Sequence, residues 1–308
     1  AEVVQEVVDL LRDRSFRRKP APSRWCLLAL SWTVKFNFFI AASAASLTFA
    51  AQRLMGLPAE ILPILLSFCA FLGFYNLNIL ADRSDLSFDQ PARRLSFRVR
   101  RGTLLPVSAA ALGAAGVIGL FLGTWPCLLV LLTLLLGWAY CVPVLPTRFQ
   151  RRRLRDLPGA KEIMTSLGWA TLTVLVPLLS EGEGLRYPLA PAVAFAFVFG
   201  VLFVRSTLLD VRDIQGDRLV GRETIPVLIG PERTRILLIA VNILLSLLIV
   251  AASAISWLPP RSYLFLAITA YGFFYLYLYH RRILFRDLMS EVVVDGKLLL
   301  AGALALFV

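Results

Sequence analysis

Asp210-Val-Arg212-Asp213-Ile-Gln-Gly-Asp217-Arg218 closes an apolar run at 189–210, and Asn78-Ile-Leu-Ala-Asp82-Arg83-Ser-Asp85 closes another at 59–81. An aspartate at the centre of a membrane helix costs roughly 2.5–3.5 kcal/mol. Several carboxylates at the edge of hydrocarbon therefore need a compensating charge. Asp210, Asp213 and Asp217 fall at i, i+3 and i+7, one face of a helix. Asn78 and Asp82, four apart, share a face, and Asp85 stays near it. Two such helix ends facing each other would offer five carboxylates and an amide. Mg²⁺ prefers oxygen ligands in octahedral geometry, and typically takes one or two carboxylates plus substrate phosphates. Metal held this way beside a greasy cavity suggests a ligand that is part phosphate and part hydrocarbon.

The rest of the chain reads as membrane. Of 308 residues, 58% are hydrophobic and 17% charged, with a mean hydropathy of +0.74. A soluble domain would be near half apolar and a quarter charged. Apolar runs near 26–53, 59–81, 102–122, 124–142, 160–180, 189–210, 235–256, 262–280 and 288–308 are long enough to span. The expectation is an all-α polytopic membrane protein, with nine transmembrane helices bundled around a central cavity.

The net charge of +12 is distributed as topology. Twenty-eight of the 32 basic residues fall in connections on one side, including Arg205 and Lys297, and Arg53, Arg186 and Arg261 on the other. That asymmetry places the N-terminus and both acidic stretches in the cytoplasm, as in an inner-membrane protein. Membrane lipid, not nucleic acid, is the expected partner. Residues 1–25 carry Val3, Val4, Val7, Val8, Leu10 and Leu11 among acids at helical spacing. They read as a cytoplasmic amphipathic segment at the interface, not a signal peptide; residues 26–308 form the transmembrane domain. Cys26, Cys69, Cys127 and Cys141 have no paired spacing, and the single histidine, His280, precedes Arg281 and Arg282. A disulfide framework, a zinc site and a histidine triad are excluded.

Basic residues surround both acidic stretches: Arg83, Arg93 and Arg94 near the first, Arg212, Arg218 and Arg222 near the second. Guanidinium groups match phosphate oxygens in bidentate fashion. Lys161 begins the fifth apolar run, within reach of a diphosphate. Lys35 lies about nine residues into the first, roughly 14 Å deep, and is expected to line the cavity near Asn37. Asp295 with Glu291 reads as structural, favoured by the dipole at the start of the last helix. Tyr271, Phe273, Phe274, Tyr275, Tyr277 and Tyr279 read mainly as packing and interface.

On these motifs the chain resembles the UbiA superfamily of intramembrane prenyltransferases. Asn78-Ile-Leu-Ala-Asp82 is similar to that family's first motif and Asp213-Ile-Gln-Gly-Asp217 to its second. The text through Gly221-Arg-Glu-Thr224-Ile-Pro226-Val-Leu-Ile-Gly230 and Tyr140-Cys-Val-Pro143 with Lys161 adds to the likeness. Ile79 and Leu86 depart from it, standing where many members carry acids. The resemblance implies Mg²⁺-dependent transfer of a prenyl group from a prenyl diphosphate to a lipophilic acceptor, possibly aromatic. It implies catalytic and metal-holding roles for Asn78, Asp82, Asp213 and Asp217, with Asp85 and Asp210 in support. Lys35, Tyr140, Lys161 and the six arginines would bind substrate. A terpene cyclase on the same scaffold, or a transporter gated by charged helix ends, remains an alternative.

Overall fold

The computed structural model describes residues 37–81, 91–141, 154, 157–181, 185–280 and 288–308. The amphipathic segment 1–25, Lys35, Asp82, Arg83 and Asp85 lie outside the described residues, as do the side chains of Arg93, Arg94 and Arg212. The long helices are α1 (Phe38–Met55), α2 (Ile61–Ala81), α3 (Pro91–Leu122), α4 (Thr124–Cys141) and α5 (Ala160–Ser180). They continue with α6 (Ala190–Val220), α7 (Pro231–Ala254), α8 (Leu266–His280) and α9 (Leu288–Ala305). No strand occurs among the described residues.

Seven described helices are long and apolar enough to cross a membrane. The expectation of nine spans goes further than this. The apolar stretch of α4, Thr124–Tyr140, is shorter, and α9 carries Glu291, Asp295 and Lys297 in its length. The chain is an all-helical integral membrane protein.

α6 outruns the bilayer. At 1.5 Å per residue the 31 residues of α6 extend about 46 Å, against about 30 Å of hydrocarbon. Its apolar part is Ala190–Val211; the remainder is a helical extension that carries Asp213 and Asp217. The expected end of this helix at 210 is therefore corrected: the second acidic motif stays helical. The aspartates are on one helix face for that reason. Gly221 stops the helix with φ +73°, a conformation that favours glycine, and the Arg222 N–H returns to the Asp217 carbonyl at 2.8 Å.

Small residues draw the central helices together, as is usual where lipid and side chain are equally apolar. α1 buries Ala41, Ala44, Ala50 and Ala51. Its Thr48 hydroxyl donates to Ser67 of α2 at 2.8 Å, and Ser46 donates to the Leu298 carbonyl of α9 at 3.1 Å. Large apolar side chains on α3 and α4, such as Leu120, Phe121 and Leu135, are exposed, as a lipid-facing surface requires. In α5, Pro177 has no N–H for the carbonyl four residues back. The turn before it, Thr171–Leu175, widens to π-helix, an adjustment frequent at functional sites.

The α1–α9 contact is tight enough to test. A Cβ on Gly302 would stand 2.1 Å from the Ser46 hydroxyl oxygen and 3.0 Å from the Ser46 carbonyl oxygen. Gly302→Ala should cost about 1–3 kcal/mol by overpacking. Gly113 of α3 faces open space, and Gly113→Ala should be neutral or slightly stabilising. Thermal unfolding in detergent compares the two directly.

Candidate functional site

α1, α2, α4, α5, α6 and α9 enclose a cavity of about 680 Å³, within the range of small-molecule sites. Its walls are mostly apolar and aromatic, with Phe71, Tyr75, Trp169 and Leu172 among them. The charged residues that line it, among those described, are Lys161, Asp210, Asp213, Arg205 and Asp295.

Helix ends of one side line it: Asn78 lies in the last turn of α2, Tyr140 in the last turn of α4, Lys161 in the first turn of α5, and Asp210 and Asp213 at the start of the α6 extension. Thus five of the residues singled out in sequence line one cavity. Asp210 is almost fully buried and forms an ion pair with Lys161. Its second oxygen, Oδ2, is buried and has no hydrogen-bond partner among the described residues. A bare carboxylate oxygen in a low-dielectric wall is costly, and a divalent cation would satisfy it. The donor set therefore fits the metal that the sequence suggests. No group of three or more acids, cysteines or histidines at metal-holding distance occurs among the described residues; Asp82 and Asp85 lie outside them.

Asp217 is placed differently. It is buried beside the cavity, where it accepts a hydrogen bond from the Thr224 hydroxyl at 3.3 Å and has the Arg222 guanidinium at 3.8 Å. The segment after α6 is tied to α5 at two more points. Gly159 N–H donates to the Glu223 carbonyl at 2.9 Å, and Ile225 N–H donates to the buried Glu162 carboxylate at 2.7 Å. Glu162 has no place in the sequence reading; its only signal is its position beside Lys161. Arg218 is exposed on the α6 extension.

The sequence reading of Arg205 and Asp295 is corrected. Arg205 counts there as a connection charge, but it is buried in α6 and paired with both oxygens of Asp295, Nη2 to Oδ2 at 2.8 Å. Asp295 lies two turns into α9, beyond the reach of the helix dipole, and it lines the cavity. Lys297, also counted as a connection charge, is buried and donates to the Val201 carbonyl at 3.1 Å. Removing both from the basic count leaves the charge asymmetry intact. The Arg205 guanidinium lies 5.8 Å from the Trp169 ring, in cation–π range, and the Trp169 indole N–H donates to the Tyr75 hydroxyl at 3.1 Å. This pair thus braces the aromatic wall.

A sequence model of the UbiA prenyltransferase family matches residues 38–287. The chain belongs to that family. Solved structures agree in fold. A UbiA homologue from Aeropyrum pernix K1, without ligand, superposes with a TM-score of 0.65 at 15% identity over 88% of this chain and 99% of its own. A UbiA homologue from Archaeoglobus fulgidus bound to GPP and Mg²⁺ gives 0.63 at 15% identity over 89% and 97%. A structure described for digeranylgeranylglyceryl phosphate synthase gives 0.55 at 13% identity over 88% and 92%. No curated protein sequence matches the chain.

Breaking the inner ion pair should be worse than removing it. Asp295→Ala leaves a buried guanidinium uncompensated and should cost about 3–5 kcal/mol. Arg205→Met with Asp295→Leu should recover most of that loss. Thermal unfolding of the two single variants and the double variant checks it.

Proposed function

We propose that this member of the UbiA family transfers a prenyl group from a prenyl diphosphate to a lipophilic acceptor inside the membrane, with a divalent metal, Mg²⁺ in the cell. The observation that carries this is the cavity: Asn78, Lys161, Asp210 and Asp213 line a chamber whose remaining walls are mostly apolar and aromatic, with the Arg205–Asp295 pair neutralised within them. That layout suits a ligand with an anionic head and a hydrocarbon tail. The Archaeoglobus fulgidus homologue's binding of GPP and Mg²⁺ supports the same reading.

Asp210, Asp213 and Asp217 from α6, with Asn78 and Asp82 from the α2 side, would hold the metal, and Asp85 would support them. Bound there, the metal supplies electrostatic stabilisation to the diphosphate as it leaves. Lys161 stands where its ammonium can donate to phosphate oxygens, and Arg222 can add a guanidinium. The other proposed substrate contacts are Tyr140, Arg83, Arg93, Arg94, Arg212 and Arg218, with Lys35 on the α1 side.

Phe71, Tyr75 and Trp169 exclude water from the carbon that loses its diphosphate, and their π-faces stabilise positive charge there. The lipophilic acceptor attacks that carbon, and its proton leaves to a carboxylate, the diphosphate or water. The bias of basic residues supports a mouth facing the cytoplasm.

Asp217→Asn or Asp213→Asn should slow diphosphate release from geranyl diphosphate in a lipid-extract assay. The expected loss is at least about a hundredfold, or ~2.7 kcal/mol. Wild-type activity should vanish in EDTA and return with Mg²⁺. Undiminished turnover of either variant in EDTA would reject the metal-dependent reading.

A further inference from the structure

We propose that Lys161 is a built-in counter-ion of Asp210 that competes with a metal for its carboxylate, so that the site takes metal and diphosphate together and binds the bare metal poorly. This rests on the proposed function and specifies its substrate as the metal–diphosphate complex.

The Asp210 carboxylate is buried in the cavity wall, one oxygen in contact with Lys161 and the other without a partner among the described residues. Glu162 and Asp217 are close enough for their charges to act on it. An ionised group here cannot be left unmatched, because the low-dielectric surroundings screen little. In the structure the Lys161 ammonium supplies the match. Its side chain is partly open to the same cavity.

A bare divalent cation approaching Asp210 meets that ammonium. It must share the carboxylate with a like charge at short range, or push the ammonium away with nothing to receive it. A cation already carrying diphosphate changes the exchange. Asp210 passes from ammonium to metal, and the released ammonium passes to phosphate oxygens. The side chain has three rotatable donors on a flexible four-carbon stem, suited to that move. Every charge keeps a partner before and after. Metal and diphosphate then favour each other's binding, and the coupling is reciprocal. Empty, the cavity mouth stays held by an α5–α6 ion pair.

The experiment uses the full chain in detergent, Mn²⁺ followed by electron paramagnetic resonance, and geranyl diphosphate as the second ligand. Wild type should bind Mn²⁺ weakly alone and at least about tenfold more tightly with geranyl diphosphate, within the 5–150-fold range usual for coupled sites. Lys161→Met should bind Mn²⁺ alone more tightly than wild type, and the enhancement by geranyl diphosphate should shrink. Mn²⁺ alone should also raise the unfolding temperature of Lys161→Met more than that of wild type. Lys161→Gln, which keeps a donor but no charge, should behave alike and decides the matter if the Met variant does not fold. A purely structural lysine would lower both affinities together; that result, or unchanged Mn²⁺ affinity in both variants, overturns the inference. Wild type that fails to bind Mn²⁺ even with geranyl diphosphate overturns the proposed function itself.

Discussion

A carboxylate beside hydrocarbon must be matched by opposite charge, and much of this protein is arranged around that requirement. Asp210 is matched by Lys161, and Asp295 by Arg205. Each pair joins two helices across the cavity wall: α6 to α5 at the mouth, and α6 to α9 deeper in. Arg205 and Asp210 are five residues apart on one helix, about 7.5 Å along its axis. A single helix thus presents both charged zones, and the apolar chamber lies against it. Removing either partner leaves an ion in oil. The pairs consequently tie α5 and α9 to α6.

The two charged zones differ in what they leave open. The inner pair is satisfied bidentately and supports the ring of Trp169, which in turn holds Tyr75. Its role in the structure is to keep an aromatic wall in place. The outer pair leaves Asp210 Oδ2 without a partner among the described residues. Behind it, Thr224 and Glu162 fasten the segment after α6, and so hold Asp217 in place. The outer zone thus leaves one carboxylate oxygen to be satisfied, whereas the inner pair satisfies both.

The sequence carried much of this because charge is rare in it. Asp210, Asp213 and Asp217 stand out against an apolar background, and their spacing is helical whether or not the helix is drawn past residue 210. Asn78, Tyr140 and Lys161 could be grouped because alternating spans bring their helix ends to one side. The inner pair was hidden for the same physical reason that it exists. Arg205 and Asp295 lie 90 residues apart, and each, taken singly, looks like a charge at a helix end. Only the packing of α9 against the bundle brings them together. Glu162 was hidden because its partner is a backbone N–H, which no side-chain pattern reports. The π-turn at Thr171–Leu175 escaped because hydropathy records the run but not the hydrogen-bond register that Pro177 disturbs.

The proposed binding mode puts a prenyl diphosphate inside the chamber, head at the α6 carboxylates and tail along the aromatic wall. Photo-crosslinking tests it most directly, with a diazirine in the tail of a geranyl diphosphate analogue, Mg²⁺ present and peptides mapped by mass spectrometry. Label is expected on cavity residues such as Phe71, Trp169 and Leu172, abolished by EDTA or by excess geranyl diphosphate. Label on the lipid-facing side chains Leu120, Phe121 and Leu135, indifferent to metal and competitor, would contradict it.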